Sequence, residues 1–200
     1  MARSFNLGNL EITYLGHASF KIKNGDFVIY LDPYQISSGE KANLILITHD
    51  HSDHKDDKSI EFLKKETTEI LIGGENIKEG GKKQINNVKI KAVPAYNLTK
   101  PFHPRGKGCG FILEIDGQRI YHAGDTDKIP EMAELGKIDV AMLPIGGTYT
   151  MNLQEAVEAI EIIKPKIVMP MHYNTLPKIT ADPEKFKELV GKKSEVVILE

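Results

Sequence analysis

His49-Asp50-His51-Ser52-Asp53-His54 follows directly on the apolar run Leu44-Ile45-Leu46-Ile47-Thr48. The run is short and continuous, as expected of a buried strand. The residues after it read H-x-H-x-D-H and set three imidazoles and the Asp53 carboxylate at that strand's end. Such a cluster is costly unless positive charge sits among the side chains. Zn²⁺ and its first-row neighbours accept this mixed nitrogen and oxygen set. In an extended segment His49, His51 and Asp53 project to one side, and His54 reaches a neighbouring point. Two cations about 3.5–4 Å apart, the spacing of two-metal hydrolases, satisfy that arrangement. The competing reading is a solvated histidine-rich loop, because Asp50, Asp56 and Asp57 mix there with Lys55 and Lys58. Four potential ligands in six residues behind a strand favour the metal.

Working outward, 200 residues fit one domain, expected to span 1–200. Hydrophobic content of 40% and charged content of 27% are ordinary for a globular protein. A net charge of −2 implies no general basic surface for nucleic acid. No apolar run reaches the length of a membrane span, and Met1-Ala2-Arg3-Ser4-Phe5-Asn6 does not read as a signal peptide. The one cysteine, Cys109, excludes an internal disulfide, fits the cytosol and is expected to pack as a small apolar residue. These features predict a cytoplasmic protein with no nucleic-acid or membrane partner. A homo-oligomer stays compatible with them.

Strands are expected at Leu10–Leu15, Ser19–Lys23 and Phe27–Leu31, with Asn24-Gly25 turning a hairpin. Leu44–Ile47, Glu69–Ile72, Val88–Val93, Gly110–Ile115 and Gln118–His122 read as further strands, the last two joined by Asp116-Gly117. Lys58–Lys65 reads as a short helix. Later, Val140–Leu143, Ile167–Met171 and Glu195–Leu199 are strands that alternate with two helices. Asn152 and Glu155 form a capping box for the helix ending at Ile163. Asp182-Pro183 opens the other, and Gly191 closes it. Strands first and helix–strand alternation later fit two packed sheets with helices outside. Phe27–Asp32 also echoes Arg119–Asp125, a hint of two related halves.

A two-cation site needs ligands from other strand ends, where a sheet presents side chains rigidly. Asp125 follows the strand ending at His122, and Gly124 permits a tight turn there. His172 ends the strand Ile167–Met171. Either alone reads more readily as a turn aspartate or a core histidine; beside residues 49–54 both become ligand candidates.

With these residues in place, the chain resembles the metallo-β-lactamase superfamily of metal-dependent hydrolases. His49-Asp50-His51-Ser52-Asp53-His54 matches its signature, Asp125 its bridging aspartate and His172 its last histidine. Leu15-Gly16-His17-Ala18-Ser19, Leu31-Asp32-Pro33-Tyr34, Tyr121-His122-Ala123-Gly124-Asp125-Thr126 and Met169-Pro170-Met171-His172-Tyr173 resemble the small hydrolases related to ascorbate-6-phosphate lactonase. The resemblance covers roughly residues 10–200. It implies an α/β fold of the four-layer αββα type, with metals at one edge between the sheets. It implies one site from His49, His51 and a third histidine, and another from Asp53, His54 and His172, with Asp125 shared. In many subgroup members the third histidine stands where this chain has Asn97; His103, six residues on, is the nearest replacement. Zn²⁺ is the first choice of metal, with Mn²⁺ or iron also accommodated.

The implied activity is a metal-dependent hydrolase using a metal-bridging hydroxide on an ester-type bond, a lactone or similar small ester. The alternatives are a phosphodiesterase and a non-catalytic binding module stapled by metal. Asp53 is expected to act in catalysis as well as to bind metal. His17 is expected either to meet substrate or to support a ligand, and Asp32 and His122 to hold ligand imidazoles by their other nitrogens. Gly146-Gly147-Thr148-Tyr149 is expected to form a flexible rim.

Overall fold

Alternation of side chains decides which faces meet. In the strand Phe27–Leu31, Ile29 and Leu31 join the main core, whereas Val28 and Tyr30 join a second cluster on the opposite face. The computed structural model describes residues 3–200; Met1 and Ala2 of the N-terminal stretch lie outside the described residues. The first sheet orders its strands as in the chain: β1 (Ser4–Leu7), β2 (Leu10–Gly16), β3 (Ser19–Asn24), β4 (Phe27–Leu31), β5 (Leu44–Ile47) and β6 (Glu69–Ile72). The second holds β7 (Lys82–Ile85), β8 (Val88–Val93), β9 (Gly110–Ile115), β10 (Gln118–His122), β11 (Val140–Pro144), β12 (Ile167–Met171) and β13 (Glu195–Val196). Each sheet is an antiparallel meander up to its fourth strand, then continues in parallel. The strands that echo each other in sequence, β4 and β10, are those fourth strands.

Three α-helices cover the sandwich: α1 (Asp57–Leu63), α2 (Leu153–Ile163) and α3 (Pro183–Val190). Ile60 and Leu63 of α1 pack with Val28, Tyr30, Ile45 and Ile47 on the outer face of the first sheet. Every residue of β11 and β12 is buried, as in parallel strands covered on both faces. Ala156, Val157 and Ile160 of α2, with Phe186 and Val190 of α3, supply that cover. The result is the αββα sandwich. Asn152 and Glu155 do form the capping box of α2, and Gly191 closes α3.

The differences from expectation have local causes. β1 and β7 escape the sequence pattern because both are short edges; Lys82, Lys83 and Gln84 are exposed. A 3-10 helix at Pro130–Glu134 also escapes it. β13 stops at Val196 rather than Leu199; its partner β12 carries Pro170, which has no N–H to extend the ladder. α1 starts a residue early, because Asp56 accepts from Lys58 N and caps it.

The topology aims several chain segments at one edge. Asp32 follows β4, residues 49–54 follow β5, Asp125 follows β10 and His172 follows β12. His17 occupies the β2–β3 turn. His17 (φ 56°), Asp32 (φ 42°) and His172 (φ 56°) all adopt the left-handed conformation that glycine takes more readily. Strain of this kind persists where a side chain is needed at a fixed place.

Candidate metal centre

The turn after β5 is closed by His54 N–H donating to His51 O at 3.0 Å, so residues 49–54 do not stay extended. Asp53 therefore leaves the side shared by His49 and His51. Three groups of potential ligand atoms form, each within 4.8 Å: His49, His51 and His103; His17, Asp53, His54 and His172; and His49, His54 and Asp125. The third group links the other two. The Asp125 carboxylate lies 3.3 Å from His54 Nε2, 3.2 Å from His103 Nε2 and 3.1 Å from His172 Nε2. A small cavity of about 20 Å³ touches His49, His51, His103 and Asp125, room for about one water-sized species.

Partners of fixed polarity determine which ring nitrogens face inward. Asp32 is fully buried and accepts from Thr48 N, from the Thr48 hydroxyl and from His54 Nδ1, each at 2.7 Å. A carboxylate only accepts, so His54 Nδ1 carries a hydrogen, and its Nε2 faces Asp125 Oδ1 at 3.3 Å, where a cation would take the place of a proton. The Thr48 hydroxyl has given its one hydrogen to Asp32. His49 Nδ1, 3.0 Å from that oxygen, must donate to it. Its Nε2 then faces His51 Nδ1 at 3.0 Å. Two glycines admit this packing. A Cβ on Gly124 (φ 63°) would stand 2.9 Å from Thr48 Cβ, and one on Gly108 would stand 2.7 Å from His49 Cβ.

Electrostatics point the same way. Burial would raise the Asp125 carboxyl, but His172 and His54 outweigh it and hold it well below the usual carboxylate range. Burial pushes His49 well below the ordinary histidine value and lowers His103 as well. Burial opposes charge on His54 too, yet Asp125 and Asp32, one at each ring nitrogen, keep that ring well above the usual value. The pocket thus favours a cation at its centre. Buried atoms with no hydrogen-bond partner include His54 Nε2, Asp125 Oδ1 and both nitrogens of His172. Orphaned buried donors and acceptors are rare. Here imidazole nitrogens and a carboxylate oxygen converge, a donor set that fits zinc, manganese or iron.

His17 departs from one of its two expectations, contact with substrate, and fits the other, support of a ligand. It is 1% exposed, with Nε2 3.1 Å from Asp53 Oδ2 and Nδ1 2.6 Å from Thr175 Oγ1. Asp53 accepts only, so Nε2 donates to it and the Thr175 hydroxyl donates to Nδ1. His17 in this arrangement orients Asp53. His122 differs also: its Nε2 donates to Ala18 O at 2.8 Å and its Nδ1 accepts from Gly124 N, so it holds no ligand imidazole. It ties the end of β10 to the turn that carries His17. The 146–149 rim is bonded in place: Thr148 Oγ1 donates to Lys178 O, and Tyr149 O accepts from Asn97. Cys109 is buried, with its thiol pushed up to about 12 by burial. Sequence reading missed Thr48 and Asn97 as supports; Thr48 was marked only by standing next to His49, and Asn97 only by standing where relatives carry a histidine.

A family model described as a beta-lactamase superfamily domain matches residues 11–172. The chain belongs to the metallo-β-lactamase superfamily. Within this superfamily, a UPF0173 metal-dependent hydrolase of Thermococcus onnurineus is 40% identical over 217 residues, 95% of this chain and 96% of that protein. A solved Parabacteroides distasonis protein superposes with a TM-score of 0.89 at 36% identity, covering 100% of this chain and 99% of its own. Igni18, described as a metallo hydrolase of Ignicoccus hospitalis, gives 0.79 at 31% identity over 96% and 95%. No helix among the described residues is long and apolar enough to cross a membrane.

Proposed function

We propose that this protein is a metal-dependent hydrolase that holds two divalent cations and cleaves an ester-type bond in a small molecule, a lactone or similar ester. One observation carries the reading: Asp125 meets the Nε2 atoms of three histidines from three chain segments, and its Oδ1 has no hydrogen bond. His49, His51, His103 and Asp125 would hold one cation, and Asp53, His54, His172 and Asp125 the other. When bound, such cations act as Lewis acids and lower the pKa of water toward neutrality.

The remaining work belongs to the chain. Asp32 and Thr48 hold the Nδ1 hydrogens of His54 and His49, so that the Nε2 atoms of both rings are turned to the centre. Asp53 is 23% exposed, and His51 is exposed, so the centre has an open side. A closed structural site has none. Burial would raise Asp53, but the hydrogen bond from His17 and the charge of His54 lower it, leaving it ionised at neutral pH and suited to a cation. Phe102 and Lys107 stand at the cavity beside His51 and border the approach for substrate.

The test is chelation followed by readdition of Zn²⁺, Mn²⁺ or iron, read on lactones, carboxylic esters and phosphodiesters. Lactone or ester hydrolysis is expected to vanish on stripping and return with metal. Hydrolysis that survives complete stripping overturns the reading. Metal-loaded protein that acts only on phosphodiesters overturns the bond class, and one inert on all three leaves the stapled binding module.

A further inference from the structure

The loop from Asn97 to Lys107 brings His103 to the centre and carries its own support. Asn97 is 8% exposed, and its Oδ1 accepts from His103 N at 3.0 Å and contacts His103 Nδ1 at 3.1 Å. Its Nδ2 donates to Asp127 Oδ1 at 3.1 Å and to Tyr149 O at 2.9 Å. Asn97 N–H also donates to His103 O at 2.8 Å.

The polarity of these contacts leaves no choice of amide orientation. A backbone N–H only donates, so Oδ1 must face His103 N. A carboxylate and a carbonyl only accept, so Nδ2 must face Asp127 and Tyr149. His103 Nδ1, set against Oδ1, then carries a ring hydrogen, which leaves Nε2, 3.2 Å from Asp125 Oδ2, as the nitrogen turned to the cation. Asp127 is itself held, accepting from Leu98 N at 2.9 Å and pairing with Lys100. We propose that Asn97 is the positioning residue that presents His103 to the cation, and that Asp127 fixes the face Asn97 offers. This deepens the reading above and rests on His103 being a ligand.

The two sides of the centre then differ in kind. His54 leans on a carboxylate, Asp32, which makes an imidazole a stronger donor. His103 leans on a neutral amide carbonyl and gains less. The cation beside His103 is the more readily stripped of the two.

The experiment titrates metal-free wild type, Asn97→Leu and His103→Ala with Zn²⁺ against a competing chelator. It also records the imidazole ¹H–¹⁵N spectra of the metal-free proteins. In wild type, two equivalents bind and His103 shows a protonated Nδ1. Asn97→Leu is expected to weaken one equivalent by about 10–100-fold, leave the other unchanged and release His103 into mixed tautomers. Asn97→Ala removes the same carbonyl without added bulk and must behave alike should the leucine variant fail to fold. If His103→Ala loses an equivalent while Asn97→Leu keeps both at wild-type affinity with Nδ1 protonated, the inference falls and the ligand reading stands. If His103→Ala keeps both equivalents at wild-type affinity, the ligand reading itself falls.

Discussion

Asp32 and Asp125 occupy matching places, each just past the fourth strand of its sheet, and they do opposite things. Asp32 follows β4, is fully buried, and has both oxygens occupied by Thr48 and His54. Asp125 follows β10, is almost as buried, and leaves Oδ1 without a partner among ring nitrogens. A satisfied buried carboxylate organises its neighbours; an unsatisfied one is held at a free-energy cost, and only a ligand removes that cost. The two halves repeat one architecture, with one half fitted for support and the other for chemistry.

The comparison breaks most sharply at Asp125. Asp125→Ala is expected to lose bound metal and lower hydrolysis by about 10³-fold or more, the loss of several kcal/mol of cation-dependent stabilisation. Metal analysis and kcat/KM check this. Two retained metals with full activity would show that this carboxylate is no bridge.

Asp32→Asn should shift the loss toward the fold. It weakens charge-assisted bonds to Thr48 and His54 inside the core, a loss of about 2–3 kcal/mol. For a chain of this size that lowers Tm by about 5–10 °C. Metal affinity should fall by about 10–100-fold without being abolished, as for other groups that orient ligands. Calorimetry and chelator competition separate the two effects. A variant with wild-type Tm would place Asp32 outside the support of the fold.

The support side was less legible in the sequence than the chemical side. Leu44–Ile47, Val88–Val93 and Gly110–Ile115 appear in the structure with the bounds their apolar pattern sets. Burial on a given face imposes that pattern. β7 carries no such pattern, because an exposed lysine-rich edge buries almost nothing. The candidates among His49–His54, Asp125 and His172 stood out through residue type and position. Thr48 and Asn97 did not, since a hydroxyl or amide that orients an imidazole looks like any polar residue beside a strand. The turn at 49–54 was also hidden: period-two reasoning placed Asp53 with His49 and His51, whereas the bond from His54 N to His51 O swings it to the other group.

The smallest expected effect lies away from the centre, at Asp139 ahead of β11, and it shows whether support elsewhere in the second sheet works as Asp32 does in the first. Its carboxylate accepts from Arg119 N at 2.9 Å and from Lys166 Nζ at 2.8 Å. Burial would raise this carboxyl, but the Lys166 bond and the Arg119 N–H outweigh it and hold it below the usual value. A depressed folded-state pKa contributes stability above the unfolded value of about 3.9, and that contribution is lost as pH falls through the folded value. Lys166 and Lys137 stand in solvent and add little, so the Arg119 bond supplies most of it. Asp139→Asn should therefore be about 1 kcal/mol less stable at pH 7. The gap to wild type should close as both are acidified below about pH 4. Urea unfolding at several pH values measures it. A gap that stays constant into acid would mean that the carboxylate charge contributes nothing and that the asparagine costs stability for a reason independent of that charge.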